Sequence, residues 1–207
     1  MTDYFALLNE PRRPWIDFHL LKEKFLALAA EVHPDRVHQS APEVREAANR
    51  RYSELNTAYN CLGDHKDRVR HLLELESGAK PAEIKNVPAE IMDTHFAVAS
   101  LCRETDVFLD ASAKATSPIL RVQFFSRAGE WTDKLIALRN QIQSEREKLA
   151  LQLRAMNSAW ETTSFDESRQ KRLPLADLDV VYRLLGYNTR WLEQIHERLV
   201  QLTLINL

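Results

Sequence analysis

Glycine is scarce in this sequence: Gly63, Gly78, Gly129 and Gly186 are the only four, and they lie far apart. Phosphate cradles and dinucleotide-binding turns need clustered glycines, because a residue without a Cβ lets backbone N–H groups close on a phosphate. Nucleotide binding by this chain is therefore not expected. Cysteine is scarcer still. Cys61 and Cys102 stand alone, without partners at the spacing of a zinc site, and read as small apolar residues. No apolar run approaches the length that crosses a bilayer. The opening "MTDYFALLNEPRRPW" lacks the basic start, apolar stretch and small-residue cleavage site of a secretory signal. A net charge of −2 gives no global attraction to nucleic acid or anionic lipid. The expectation is a cytoplasmic protein with no cofactor, nucleic-acid partner or membrane contact.

Strand signals are nearly absent too, whereas helical periodicity recurs throughout, which predicts an all-α fold. With 44% hydrophobic and 28% charged residues, the chain can bury a core and is not a disordered polyelectrolyte. Asp17 is a suitable N-cap, and Phe18, Leu21, Phe25, Leu28 and Val32 follow at spacings of three and four. That helix should stop at His33, because Pro34 disfavours helical geometry in the residue before it. Pro42 can open the next helix, with Val44, Ala48, Leu55, Ala58, Tyr59 and Leu62 on one face and Gly63 at its close. Two helices joined by roughly ten loop residues should pack as an antiparallel hairpin. Short helices around Tyr4–Leu8 and Asp64–Glu76 would cover its open end.

"ESGAKPAEIKNVP", residues 76–88, gathers glycine, prolines and polar residues and reads as a boundary. The predicted domains are 1–76, a linker over 77–87, and a helical bundle over 88–207. Val98, Leu101, Thr105, Phe108 and Leu109 form a moderate stripe. From Ser117-Pro118 a longer one runs through Phe124, Ala128, Trp131, Leu135, Leu138, Ile142, Leu149, Leu153, Met156 and Trp160. Its heptad-like spacing breaks at Glu145, and it could seat a second copy of the chain as well as its own neighbours, so the oligomeric state stays open. A last helix begins near Leu175, with Leu178, Tyr182, Leu185, Leu192, Ile195, Leu199 and Leu202 on one face; Gly186-Tyr187-Asn188 should weaken its middle. Three such segments fold back as a three-helix bundle with one long helix.

The loop between the first two long helices holds the chemistry. "AEVHPDRVHQ", residues 30–39, sets an imidazole, a helix breaker and a carboxylate side by side. A His-Pro-Asp turn can be no more than a capped helix end. Proton transfer by His33 and Asp35 is chemically open, yet no nucleophile, oxyanion donor or cofactor cradle accompanies them. Metal binding by His33, His38 or the scattered His19, His65, His71, His95 and His196 has no ligand spacing behind it, and packing or solvated histidines are the plainer account.

"HPD" between two amphipathic helices, preceded by "YFALL", resembles the J-domain of DnaJ-type co-chaperones. The resemblance implies a non-enzymatic role: docking on an ATP-bound DnaK-type heat-shock chaperone and speeding that partner's hydrolysis. The implied chaperone-binding residues are His33, Pro34, Asp35, Arg36 and Lys22. General J-domains carry several exposed basic residues on the helix before the motif. Here Lys22 and Lys24 are set against Glu23 and Glu31, with Leu26 and Ala27 at positions usually basic.

"NTAYNCLGDHKDRVRHLLELESG", residues 56–78, resembles the HscB-type co-chaperones dedicated to iron–sulfur cluster assembly, through Asn56, Ala58, Tyr59, Leu62, Arg68 and "LLELESG". No Gly/Phe-rich linker and no CxxCxGxG repeat of the classical DnaJ architecture is present. In HscB-type proteins an apolar and acidic patch on the first helix of the second domain binds the cluster scaffold protein. Ile91, Met92 and Asp93 match its core, whereas His95, Val98 and Ala99 depart from the pattern. Three readings stay open: delivery of the cluster scaffold, delivery of another client, and a helical scaffold whose J-domain stimulates no ATPase.

Overall fold

The computed structural model describes residues 1–37, 39–82, 87–166 and 168–205. The fold is all-α, with no strand among the described residues. In order come α1 (Tyr4–Leu7), α2 (Phe18–Glu31), a 3-10 turn (Pro34–Val37), α3 (Pro42–Gly63), α4 (His65–Ser77), a second 3-10 turn (Ala89–Ile91), α5 (Met92–Ala113), α6 (Pro118–Thr162), α7 (Arg169–Arg172) and α8 (Leu175–Ile205).

The contacts gather into two units. The first takes in Met1–Ala82 together with Leu149–Tyr182; the second takes in Glu83–Lys148 with Arg183–Leu207. The sequence division at 77–87 follows chain order, whereas contacts place the end of α6, α7 and the start of α8 with the N-terminal hairpin. The break in the α6 stripe near Glu145 falls just before this handover at Lys148. Ile142 is buried in the core of the second unit, and Leu153 is buried in the first.

The first unit is organised by the hairpin of α2 and α3. Leu21, Leu55, Ala58 and Leu62 are buried between the helices with Phe5 and Leu8 of the N-terminal segment, and Val69 and Leu72 of α4. Tyr59 stacks on Phe25 with centroids 4.4 Å apart and meets Phe18 at 5.9 Å. Asp17 caps α2 as its position suggests, accepting from the amides of His19 and Leu20. The stripe assigned to α3 fails at its start, where Val44 is exposed. α3 has 22 residues against 14 in α2, and the residues of its first two turns are exposed apart from Ala48.

Three polar anchors close this unit. Arg68, 2% exposed, donates from Nε to the Pro14 carbonyl (2.8 Å) and from Nη1 to the Leu62 carbonyl. Burial lowers its pKa to about 10, so it remains a cation at neutral pH. Asn157 of α6 exchanges two hydrogen bonds of 2.9 Å with the backbone of Trp15, while the Arg154 guanidinium lies 4.7 Å from the centre of the Trp15 ring. Arg169 of α7 meets Glu76 of α4 in a bidentate pair at 3.0 and 3.1 Å.

His71 is buried and accepts from the Tyr4 amide through Nε2 (3.1 Å), supplying an orphan donor at the start of α1 with a partner. Its ring stacks on Tyr4 at 4.4 Å. Accepting at Nε2 requires the neutral imidazole, and desolvation by burial holds its pKa below the ordinary 6.5. The unfolded chain therefore takes up a proton that the folded chain refuses. The contribution is full above pH 6.5 and declines as pH falls toward the depressed folded value. Between pH 7.5 and 5.0 the native protein should lose more melting temperature than His71→Gln does. Equal losses in the two proteins would exclude this role.

The second unit is a three-helix bundle of α5, the first part of α6 and the last part of α8. Its core holds Val98, Cys102, Phe108, Leu135, Leu138, Ile142, Tyr187, Trp191 and Ile195. Gly186, Tyr187 and Asn188 do not interrupt α8, which is continuous through them and buried there. Tertiary packing outweighs the weak helix propensity of that triplet. Both cysteines are free.

Candidate functional site

α2 ends at Glu31, two residues before His33, with Val32 as its C-cap. The next four residues close into the 3-10 turn, in which the Arg36 amide donates to the His33 carbonyl at 3.0 Å. Arg36 also donates from Nη1 to the Ala30 carbonyl (3.1 Å), so one orphan carbonyl at the end of α2 is satisfied by the residue that follows the tripeptide. Pro34 lends its backbone to the turn; its side chain, like His38, lies outside the described residues.

The His33 ring stands edge-on to Tyr52 of α3, with centroids 5.4 Å apart and planes at 80°. Nδ1 accepts from the Asp35 amide at 3.3 Å, which requires an unprotonated Nδ1 and leaves Nε2 as the donor of a neutral ring. The Asp35 carboxylate lies 3.6 Å from the same Nδ1, a pairing that gains charge only if the imidazole is protonated. The Asp35 side chain is 91% exposed and that of His33 43%. The tripeptide thus presents a carboxylate and half an imidazole ring to solvent, on a turn held from both helices.

The sequence reading overlooked Tyr52. It continues the face of Ala48, Leu55 and Tyr59 at helical spacing, so the signal was available.

The exposed face of α2 carries Lys22, Glu23, Leu26, Ala27, Ala30 and Glu31. Lys24, which the sequence sets beside Lys22 as a second surface cation, is turned to another task. Its Nζ donates to the Glu10 carboxylate at 2.8 Å and to the Asn9 carbonyl at 3.1 Å. Glu10 is buried and takes a second cation, Arg13, at 3.1 Å. Along the exposed face of α2 and the turn that follows it, Lys22 and Arg36 therefore stand against Glu23, Glu31 and Asp35.

The second set of candidate residues sits at the entrance to α5. Ile91 ends the second 3-10 turn and packs against the bundle core. Met92 is half-buried, and Asp93 is exposed in the first turn of α5. The three share one short stretch but divide their roles: Ile91 faces inward, and Asp93 faces solvent.

No family model matches the chain. Among curated proteins, a co-chaperone HscB homologue of Bordetella petrii is 39% identical over 72 residues, which cover 35% of this chain and 42% of the relative. Another from Chromobacterium violaceum is 36% identical over 92 residues, 44% of this chain and 52% of the relative. The human DnaJ homolog subfamily B member 3 is 34% identical over 80 residues, 39% of this chain and 51% of the relative. The chain thus spans about half the length of the curated relatives it matches. Among solved structures, chaperone HscB from Vibrio cholerae superposes with a TM-score of 0.54 at 19% identity, covering 96% of this chain and 99% of the other. The human co-chaperone HscB gives 0.58 at 18% identity, covering 96% and 81%. The chain is therefore similar to the HscB co-chaperones in two respects, in sequence over part of its length and in all-α fold over nearly the whole.

Proposed function

We propose that this protein is a J-domain co-chaperone that docks on the ATP-bound form of a DnaK-type heat-shock chaperone and stimulates its hydrolysis. The observation that supports it most is the exposed Asp35 carboxylate, carried on a turn whose geometry is fixed by His33, Arg36 and Tyr52. A carboxylate so presented can take a partner cation in a charge-assisted, directional pair. Pro34 restricts the backbone of the turn, so less entropy is lost on docking. Docking accelerates hydrolysis only if it favours the hydrolysis-competent state of the partner over the resting one. In this reading the chain performs no bond chemistry itself. A single-turnover ATPase assay on the cognate chaperone tests it: a rate above the chaperone alone is expected, and an unchanged rate rejects it.

The client proposed from the HscB resemblance is the iron–sulfur cluster scaffold protein, bound through Ile91, Met92 and Asp93. Met92 offers a deformable apolar contact, and Asp93 a charge beside it. Met92→Ala is expected to weaken scaffold binding about tenfold, a typical loss for an interface anchor. Asp93→Asn should weaken it as well, and because that side chain is exposed in the first turn of α5, melting should fall only by the small loss of a carboxylate at a helix N-terminus. Titration calorimetry with the scaffold protein reads both. If neither variant changes affinity, the patch lies elsewhere or the client is another protein. A second reading, a helical scaffold with a silent J-domain, draws support from the Lys24–Glu10 pair and from the acids set against Lys22 and Arg36 along α2 and the turn. The ATPase assay separates the two.

A further inference from the structure

The end of the second unit where α5 hands over to α6 carries an apolar row that the core does not take up. α5 ends at Ala113 and α6 begins at Pro118, so residues 114–117 turn the chain there, roughly 30 Å along α5 from Met92. Ile119, Val122 and Phe125 follow at spacings of three and lie on the side of α6 opposite the buried Ala128, Leu135 and Ile142. They are 73%, 68% and 54% exposed. α6 thus opens with apolar residues on two sides. One side meets α5 through Phe124 and Phe108, whose ring centroids are 5.4 Å apart, and the other faces solvent.

The charge at this end is of one sign. Residues 111–129 hold Lys114, Arg121 and Arg127 and no aspartate or glutamate; Asp110 and Glu130 bound the stretch on either side. At 100° per residue, Arg121 and Arg127 fall on the two flanks of the apolar row. Arg121 donates from Nε to the Ala115 carbonyl (3.2 Å), and the Arg127 guanidinium lies 5.8 Å from the centre of the Phe108 ring. Both are thus steadied by their own chain through a carbonyl and a ring, with their charge intact. The net charge of −2 over the whole chain averages away this local excess. A charged surface meets the local value, because screening confines the interaction to about 10 Å.

We propose that this end of the second unit binds the surface of an anionic phospholipid bilayer. Ile119, Val122 and Phe125 enter the boundary between headgroups and acyl chains, and Lys114, Arg121 and Arg127 lie among the lipid phosphates. An apolar row flanked by cations suits a helix resting on a membrane, because Arg and Lys bury their stems while their heads reach the headgroups. Two other occupants fit less well. A second copy paired about this row would bring the three cations toward their own duplicates, and the row alone falls short of the about 800 Å² per partner of a stable interface. A helix from another protein docks best in a groove, whereas side chains more than half exposed stand out as a ridge. A bilayer accepts a ridge.

The test sediments the full chain with vesicles of phosphatidylcholine and phosphatidylglycerol in equal parts, and with vesicles of phosphatidylcholine alone. At about 50 mM salt the native chain should partition about tenfold or more in favour of the anionic vesicles, and about 300 mM salt should remove most of that preference. Val122→Gln combined with Phe125→Gln should cut partitioning about tenfold or more by removing inserted side chains. Lys114→Gln combined with Arg127→Gln should cut it about tenfold by removing charge. All four side chains are exposed, so helicity should stay at the native level. The proposal is overturned if the native chain binds both kinds of vesicle alike, if it binds neither, or if either double variant binds as the native chain does. A native dimer in analytical ultracentrifugation that the Val122→Gln, Phe125→Gln variant dissolves overturns it in favour of a second copy. A synthetic acidic amphipathic helix bound more tightly than the vesicles, and released by the same variant, overturns it in favour of a protein partner.

Discussion

Asp35→Asn is expected to abolish stimulation of the partner ATPase while leaving the melting temperature within about 2 °C of native. The substitution keeps the shape of the side chain and removes its charge, so it isolates the proposed pairing with a partner cation. A charge-assisted contact is worth about 1.5–3 kcal/mol, roughly a tenfold to hundredfold loss of docking. The fold should not notice, because the side chain is 91% exposed and surface substitutions seldom cost more than about 0.5 kcal/mol. His33→Gln should give the same loss by another route. It removes the ring that meets Tyr52 and leaves a flexible amide where a rigid acceptor held the Asp35 amide. Single-turnover hydrolysis and thermal melting, run on the same preparations, check both. Full stimulation by either variant would end the docking interpretation of this turn.

Arg169→Met is expected to cost about 3–5 kcal/mol of stability, the penalty for stranding one member of a buried ion pair. Glu76 has a side chain only 3% exposed, and its other cation, Arg12, stands at 4.0 Å. Without Arg169 its carboxylate would be left almost unpaired in the interior of the first unit. The same arginine donates to the Thr163 carbonyl and lies 3.8 Å from the centre of the Phe165 ring, so the loop before α7 should loosen with it. Neutralising the stranded partner discriminates this account from simple loss of packing. Arg169→Met combined with Glu76→Gln should recover more than half of the deficit in denaturant melts. A double variant as unstable as the single one would show that the charge is not the cause.

Much of this architecture can be read from apolar spacing. The cap of α2, the start of α3, the hairpin, the long α6 and the start of α8 follow from periodicity, Asp17, Pro42 and Pro118. The turn at His33–Asp35 was legible as chemistry because a histidine and a carboxylate flank a proline between two amphipathic helices. Other features depended on distant partners that local pattern does not carry. Lys22 and Lys24 look alike in the sequence, and Glu10, fourteen residues earlier, decides that one of them is taken. Val44 has the spacing of a core residue, but the neighbouring helix is too short to reach it. Ile91 and Asp93 are two residues apart, and which of them turns inward is set by the bundle. α7 is four polar residues, "RQKR", with no periodic stripe, and is held through Arg169 to α4.

The reciprocal amide bonds between Trp15 and Asn157 join residues 142 positions apart. On a translating ribosome adding about 5–20 residues per second, the asparagine follows the tryptophan by roughly 7–28 s. Once Gly63 has been added, the newborn hairpin has its own two helices to pack on but not yet the segment that closes over it. Its tryptophan waits in the open, and the finished N-terminal unit is among the last parts of the molecule to be completed.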